Sequence, residues 1–221
     1  MGLSLCVGYM AEAKAEAPEE FGEIRTVFEQ LSAAMVKSGY RPHNEPEEQL
    51  EQNTFSCQMW GYSGLHHLRR FAACHYFGHE LYVPNRELAD GPEALVTEYY
   101  RLSDPSRDQP LPFEHLMQHS DCDGFFLPQD FQAVVVTRNP QISGDIIGSS
   151  VQLLKECRQL ALLLELPLDL DMDAPELWAA ADDPGKGSCK WQKYGIESFS
   201  CLRLIRACEV SVRAGAALVF C

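Results

Sequence analysis

Residues 197–221, ESFSCLRLIRACEVSVRAGAALVFC, hold the pattern that decides the fold. Apolar side chains from Cys201 to Val212 recur with the period of an α-helix, so they lie on one buried face. Gly215 follows, a residue type that ends helices readily because it accepts a left-handed backbone. Residues 216–221 are apolar and compatible with a β-strand. This order predicts a helix that packs on a sheet to which the last residues contribute a strand.

A second apolar strand is predicted near the start of the sequence, over Leu3–Tyr9. Amphipathic helices and short apolar runs lie between the two strands. The predicted helices cover Pro18–Ser38, Ser63–Phe77, Ala94–Leu102 and a segment from Ser149 or Ser150 to Leu164, and the predicted internal strands cover Phe125–Pro128 and Ala133–Thr137. We therefore expect a single α+β domain over residues 1–221. Its one sheet should include the N- and C-terminal strands and pack against four to five helices.

The chain carries a formal net charge of −14, and this charge is unevenly distributed. Residues 121–185 hold 12 acidic and 3 basic residues, whereas residues 186–221 hold 2 acidic and 6 basic residues. Such an acidic excess disfavours nucleic-acid binding, which requires clustered Lys and Arg. It favours a basic protein partner, because opposite potentials speed encounter. The alternative is that the charge serves solubility alone.

An irregular acidic loop is predicted over residues 166–195, where Pro and Gly interrupt any regular period. We expect this loop and the acidic turn that precedes it to bind a protein partner, with a tryptophan as aromatic anchor. The predicted partner-binding residues are Asp121, Asp123, Asp169, Asp171, Asp173, Trp178, Asp182 and Asp183. A solvated loop without a partner is the alternative, since charge runs usually face water.

The stretch HLMQHSDCDG, which begins at His115, is the strongest candidate for chemistry. His115 and His119 are four residues apart, so one helix face could offer both imidazoles to a divalent metal. Asp121 or Asp123 could add a carboxylate from the turn that Gly124 permits. In the other interpretation, the aspartates bond turn amides and the histidines lie at a helix end. No other cofactor is expected.

Other polar motifs do not favour catalysis. His66, Arg69 and Arg70 could bind an anion, or they could pair with the abundant acids of the chain. Ser63 lacks the surrounding glycine spacing of a nucleophile elbow, and residues 185–188 lack the spacer of a P-loop. The sequence thus contains no recognisable catalytic motif.

The cysteines and the apolar runs bear on the compartment of the protein. Nine cysteines occur without a Cys-x-x-Cys pair or a zinc-ribbon spacing, which indicates reduced thiols. The most apolar run, Leu160–Leu168, is interrupted by Glu165 and is too short to span a bilayer, and no basic leader precedes an apolar core at the N-terminus. We therefore expect a cytoplasmic protein that does not contact a membrane.

Four stretches resemble a set of uncharacterised bacterial cytosolic proteins: GYSGLHHLRR at 61–70, HSDCDGFFLP at 119–128, GSS at 148–150 and ESFSCL at 197–202. The order of elements, from a Met-Gly start and a strand to a Gly-Ala-Ala-Leu-Val-Phe end, is loosely similar to the YfbM-like group. Neither resemblance implies a catalytic residue. An acidic chain without catalytic motifs is also similar in character to the immunity proteins of bacterial toxin systems.

The charge distribution and the polar cluster lead to two hypotheses about function. The first is an acidic binding protein, similar to an antitoxin, that neutralises a bacterial toxin by occluding its basic active site. The second is a small metal-dependent or hydrolytic enzyme centred on His115, His119, Asp121 and Asp123. The first is preferred, because catalytic sites usually show more convergent chemistry.

Overall fold

The computed structural model describes residues 3–48, 53–84, 90–103 and 109–220, which form an α+β fold around one mixed sheet. In chain order, the strands are β1 (Ser4–Val7), β2 (Phe55–Gln58), β3 (Phe125–Leu127), β4 (Val135–Val136), β5 (Ile146–Ser149) and β6 (Leu218–Phe220). They lie side by side in the order β2-β1-β6-β3-β5-β4. β3 and β5 run parallel, and the other neighbours run antiparallel. The predicted fold class and both predicted terminal strands are confirmed.

The described residues contain nine helices, more than the four to five expected from the sequence. In chain order, they are α1 (Tyr9–Glu16), α2 (Phe21–Lys37), α3 (Gly61–Tyr76), α4 (Asp90–Leu102), α5 (Glu114–Gln118), α6 (Ser150–Leu164), α7 (Pro175–Asp182), α8 (Lys190–Lys193) and α9 (Gly195–Ala214). The additional helices have at most eight residues, too few to give a clear apolar period. None of the helices in the described ranges is both long and apolar enough to cross a membrane.

Side chains of the strands alternate between the two faces of the sheet, as the two-residue period of a strand requires. Phe126 of β3 and Leu218 and Phe220 of β6 belong to the larger core, which α3, α6 and α9 cover. Phe125 of β3 and Val219 of β6 belong to a smaller core on the other face, which α1 and α2 cover. The sheet is therefore a middle layer between two layers of helix.

α9 is the central helix of the larger core, and most of its side chains are buried. It begins at Gly195 and ends at Gly215, whose φ of 68° lies in the left-handed region that the sequence pattern predicts there. A Cβ at position 195 would overlap the backbone carbonyl of Ala180 in α7. Glycine therefore permits the close contact between the start of α9 and α7.

The segment over residues 166–195 is not wholly irregular, as the sequence pattern predicted, because it contains α7 and α8. α7 begins with Pro175 at its first turn, where the missing N–H costs no hydrogen bond. Leu177 and Ala181 of α7 are buried in the larger core. The acidic residues 169–173 do lie in irregular backbone, as expected. α7 has only about two turns and is flanked by prolines and glycines, so its apolar residues are too few to show a helical period in the sequence.

The cysteines differ from the expectation of reduced thiols at one position. Cys6 of β1 is disulfide-bonded. The other described cysteines carry free thiols, namely Cys57, Cys74, Cys122, Cys157, Cys189, Cys201 and Cys208. The expectation is therefore wrong for Cys6 and confirmed for these seven residues.

Candidate functional site

His115, the first predicted metal ligand, is buried and uses both ring nitrogens in hydrogen bonds to the backbone. Its Nδ1 accepts the amide proton of Ser149 at 2.9 Å, so its Nε2 carries the proton and donates to the carbonyl of Gln132 at 3.1 Å. Burial lowers the pKa of His115 to about 4, which keeps the ring neutral. With both nitrogens engaged, the imidazole cannot bind a metal without breaking one of these bonds.

His119, the second predicted ligand, lies just beyond the end of α5 in extended backbone, not on the helix face with His115. Its ring stacks on Phe126, with 3.8 Å between ring centroids, and its Nε2 donates to the carbonyl of Phe125 at 3.1 Å. Burial lowers the pKa of His119 to about 3. Within the described ranges, no three His, Cys, Asp or Glu side chains are placed to hold a metal ion. The two histidines are thus core residues.

α5 is held at both ends by side chains from other helices. At its start, Glu156 of α6 accepts the amide protons of His115 and Leu116 at 3.0 and 2.8 Å. At its end, Arg69 of α3 donates from Nε to the Leu116 carbonyl at 2.7 Å and from Nη2 to the His119 carbonyl at 2.5 Å. Helix ends leave such amides and carbonyls without partners inside the helix. Arg69 and Glu156 supply the missing partners, and sequence reasoning identified neither role.

Mild acid is expected to destabilise the protein through the two buried histidines. Their pKa values in the folded state lie below the ordinary value of 6.5, so the folded protein keeps both rings neutral while the unfolded chain binds protons as the pH falls. Proton binding therefore favours the unfolded chain, and the stability that is present above pH 6.5 is lost at lower pH. When the pH falls from 6.5 to 5, protonation of each histidine in the unfolded chain should lower the free energy of unfolding by about 1.5 kcal/mol. Urea unfolding at both pH values should show that His119→Gln loses about 1.5 kcal/mol less than wild type.

The exposed His79 provides the matched control for this pH experiment. His79→Gln should keep the wild-type difference between pH 6.5 and pH 5. Burial raises the pKa of Glu156 to about 8, which gives a pH dependence of opposite sign in this range. That contribution is common to all three proteins and cancels in the comparison. An unchanged pH dependence in His119→Gln would show that His119 is not held neutral in the fold.

Asp121 and Asp123, which belong to both predicted sites, are held by neighbouring side chains. Arg69 donates from Nη1 to Oδ1 of Asp121, and Nε2 of His66 lies 3.6 Å from Oδ2 of the same carboxylate. Ser120 donates its hydroxyl proton to Oδ1 of Asp123 at 2.6 Å. Asp123 thus accepts a bond from a side-chain hydroxyl within the turn, whereas one interpretation of the sequence expected bonds from turn amides. For Arg69, pairing with an acid is confirmed over an anion site, His66 lies near the same carboxylate, and Arg70 lies 4.0 Å from a carboxylate oxygen of Glu197.

The acidic residues expected to bind a partner after residue 166 lie close to basic side chains. Arg203 of α9 donates to Oδ1 of Asp173 at 3.0 Å, and Lys186 donates to Oδ2 of Asp183 at 2.7 Å. Asp182 is exposed beside Asp183 at the end of α7. The basic residues after residue 185 therefore neutralise part of the acidic charge of residues 166–185.

Asp169 and Asp171 line an open groove between this segment and the second half of α9, with a volume of about 430 Å³. Glu209, Arg206 and Arg213 line the same groove, so its described lining holds three acidic and two basic residues. The groove is close to electrically balanced despite the acidic sequence beside it.

Trp178, the predicted aromatic anchor, packs beside other aromatic rings. Its ring centroid lies 6.3 Å from that of Trp60 and 4.7 Å from that of Phe199. The guanidinium of Arg203 lies 5.1 Å from the Trp178 ring centroid. Trp178 remains 37% exposed, so one part of the ring is accessible to a partner. Its role in binding stays a prediction.

A second group of carboxylates, which sequence reasoning missed, lies where α1 ends and α2 begins. We call this group the acidic corner, and its members are all exposed: Glu16, Glu19, Glu20 and Glu23. Within the described part of the chain, no basic side chain forms an ion pair with any of them. The neighbouring bases are engaged elsewhere, Lys14 with Glu47 at 2.7 Å and Arg25 with Glu29 at 3.2 Å. Among the described residues, no ion pair therefore compensates the charge of the acidic corner.

The acidic corner continues into an open groove of about 410 Å³ beside the smaller core. Glu20, Glu23 and Asp123 supply the acidic lining of this groove, and none of its lining residues in the described ranges is Lys, Arg or His. The fold thus places Asp123 beside glutamates that lie about a hundred residues earlier in the sequence. The sequence does carry a signal for this group, because glutamates recur every three or four residues at Glu16, Glu19, Glu20 and Glu23. A net charge summed over a long segment does not reveal this repeat.

Comparison with known proteins finds a protein family whose model matches almost the entire sequence. Residues 1–220 match the model of a family described as "Putative DNA-mimic protein". No match to the chain was found among curated proteins or among solved structures. The family match overturns the prediction of a toxin-neutralising immunity protein and the alternative of a metal-dependent or hydrolytic enzyme. The chain belongs to the family described as "Putative DNA-mimic protein".

Proposed function

We propose that this protein binds a DNA-binding protein and presents carboxylates in place of DNA phosphates. The observation that carries the proposal is the acidic corner, whose four glutamates are exposed and unpaired within the described ranges beside a groove without basic lining. Family membership and the net charge of −14 support the same function. An acidic surface that interacts with protein was expected from the sequence, and a DNA-binding protein replaces the toxin as the proposed partner.

The spacing of the acidic corner is compatible with this role. Glu20, the N-cap of α2, and Glu23 in its first turn are three residues apart, which corresponds to about 4.5 Å along a helix axis, and DNA carries one phosphate per about 3.4 Å along each strand. The two charge densities are therefore of the same order. Lys and Arg side chains that contact successive phosphates could contact successive glutamates, and the binding would weaken with salt as DNA binding does.

The acidic residues after residue 166 are the second candidate surface. Asp169, Asp171, Asp182 and Asp183 are exposed, and the accessible part of Trp178 lies on the same segment. The basic side chains of α9 and Lys186 reduce the net charge of this surface, which is why we place the primary surface at the acidic corner.

A displacement experiment tests the proposed function. Proteins of the native host are retained on DNA-cellulose, and the column is washed with the purified protein at constant salt. We expect a defined set of DNA-binding proteins to be released, and each released protein should bind either a labelled duplex or this protein, but not both at once. If nothing is released beyond what an unrelated protein of equal charge releases, the proposed function is wrong.

A further inference from the structure

The groove beside the acidic corner has an apolar floor as well as an acidic rim. Ile24 and Val27 of α2 line it and are half-buried, and Phe28 and Phe125 lie beneath them in the smaller core. The carboxylates of Glu20, Glu23 and Asp123 lie at the same groove, with no basic residue among its described lining. Apolar and acidic surfaces thus lie side by side in one concave site.

We propose that this groove holds a cationic amphipathic segment of the partner, with one apolar side chain on the floor and flanking Arg or Lys side chains against the rim. This inference rests on the proposed function and names the chemistry of the partner surface. Charge complementarity selects the basic residues, because the described lining of the rim carries three carboxylates and no base. The floor selects the apolar residue, since half-buried aliphatic side chains gain from further burial.

The apolar floor gives the protein a contact that a row of phosphates does not offer. Carboxylates alone would attract any basic DNA-binding surface, with little discrimination between partners. An apolar side chain that enters the groove adds affinity only for partners that carry one at the right position. The expected gain is about tenfold in Kd for one aliphatic side chain. Selectivity would then come from the floor, and electrostatic attraction from the rim.

Two labelled peptides of 14 residues test this inference. The amphipathic peptide has Arg on one helical face and Leu on the other, and the polar peptide has the same Arg positions with Ser in place of Leu. Fluorescence anisotropy should show that the amphipathic peptide binds wild type about tenfold more tightly than the polar peptide. Ile24→Trp, which fills the groove, should reduce this ratio to about one and leave the Kd of the polar peptide unchanged.

The matched control is Val36→Trp, which adds the same ring at a position on α2 that is 54% exposed and does not line the groove. This variant should keep the tenfold ratio. Methyl NMR of wild type gives a second readout, in which the amphipathic peptide should shift the signals of Val27 and Val219. An unchanged ratio in Ile24→Trp, or methyl shifts that are absent from these two residues, would overturn the inference.

Three further outcomes separate this inference from others. If sedimentation shows a wild-type dimer that Ile24→Trp converts to a monomer, the groove holds a second copy of this chain, and the inference is wrong. If no protein is released from DNA-cellulose while the peptide ratio persists, the groove binds amphipathic cations and the proposed DNA mimicry fails. If proteins are released equally by wild type and Ile24→Trp and the peptide ratio is one, mimicry stands and the groove has no part in it.

Discussion

Reversing the charge of Glu19, Glu20 and Glu23 to Lys is expected to raise the Kd for a protein released from DNA-cellulose by about 100-fold. Each exposed ion pair with the partner contributes up to about 1 kcal/mol, and three lost pairs amount to about 3 kcal/mol. The side chains are exposed, so the substitutions should leave the fold intact. Titration of the released protein with each variant, at a fixed salt concentration, measures the effect. The dependence of log Kd on log salt should also become less steep.

The other acidic surface supplies a matched comparison. The substitutions Asp169→Lys, Asp171→Lys and Asp183→Lys change the net charge by the same amount, from −14 to −8. If the acidic corner is the primary surface, this second triple variant should change Kd by less than about tenfold, through the long-range field alone. Equal losses in both variants would mean that only total charge matters. A larger loss in the second variant would move the binding surface to residues 169–183.

Substituting Arg69 by Met is expected to lower the free energy of unfolding by about 3–5 kcal/mol. The guanidinium is buried and donates to the carbonyls of Leu116 and His119 and to the carboxylate of Asp121. Burial lowers the pKa of Arg69, but a guanidinium remains charged at neutral pH. Met fills a similar volume without any donor, so the carbonyls at the end of α5 lose their partner. Urea unfolding at pH 7 measures the change.

Two further variants test whether the stability lost in Arg69→Met comes from the hydrogen bonds of the buried guanidinium. Arg69→Lys keeps the charge but cannot reach all three acceptors with one ammonium group, so it should retain only part of the stability. Arg41→Met removes an exposed arginine and should change the free energy of unfolding by no more than about 0.5 kcal/mol. If Arg69→Met were as mild as Arg41→Met, the role of Arg69 at the end of α5 would be excluded.

The parts of the fold that the sequence predicts best have strong local signals. Ser149 or Ser150 was expected to begin the helix that ends at Leu164, and Ser149 is the residue that caps it, because its Oγ accepts the amide proton of Gln152 at 3.1 Å at the start of α6. The terminal strands were identified because uninterrupted apolar runs beside helices have few other interpretations. Gly215 ends α9 for the reason that its position predicted.

Elements whose stability comes from distant partners were missed. β2 and β5 have four residues each and exist because β1 and β3 supply their hydrogen bonds. α3 begins at Gly61, two residues before its predicted start at Ser63, whose hydroxyl donates to the Trp60 carbonyl. No local pattern encodes such long-range pairing.

The candidate site illustrates the same limit in electrostatic terms. The sequence correctly indicated an acidic protein but located the charge by counting along the chain, where residues 121–185 stand out. In the fold, Asp121 pairs with Arg69 of α3. Asp173 pairs with Arg203 of α9. The glutamates of the acidic corner have no such partner among the described residues, although their segment is less acidic by count. Exposed charge depends on which bases the fold brings near.

The place of β6 in the sheet has a consequence for how the protein is made. β6 lies between β1 and β3, so the first of the described strands to be synthesised bonds to the last of them. Until residues 218–220 emerge, the nascent chain can hold only two separate ribbons, β2 with β1 and β3 with β5 and β4. Such late closure exposes unpaired strand edges during synthesis. We expect chaperone dependence to be greatest for chains stalled just before β6.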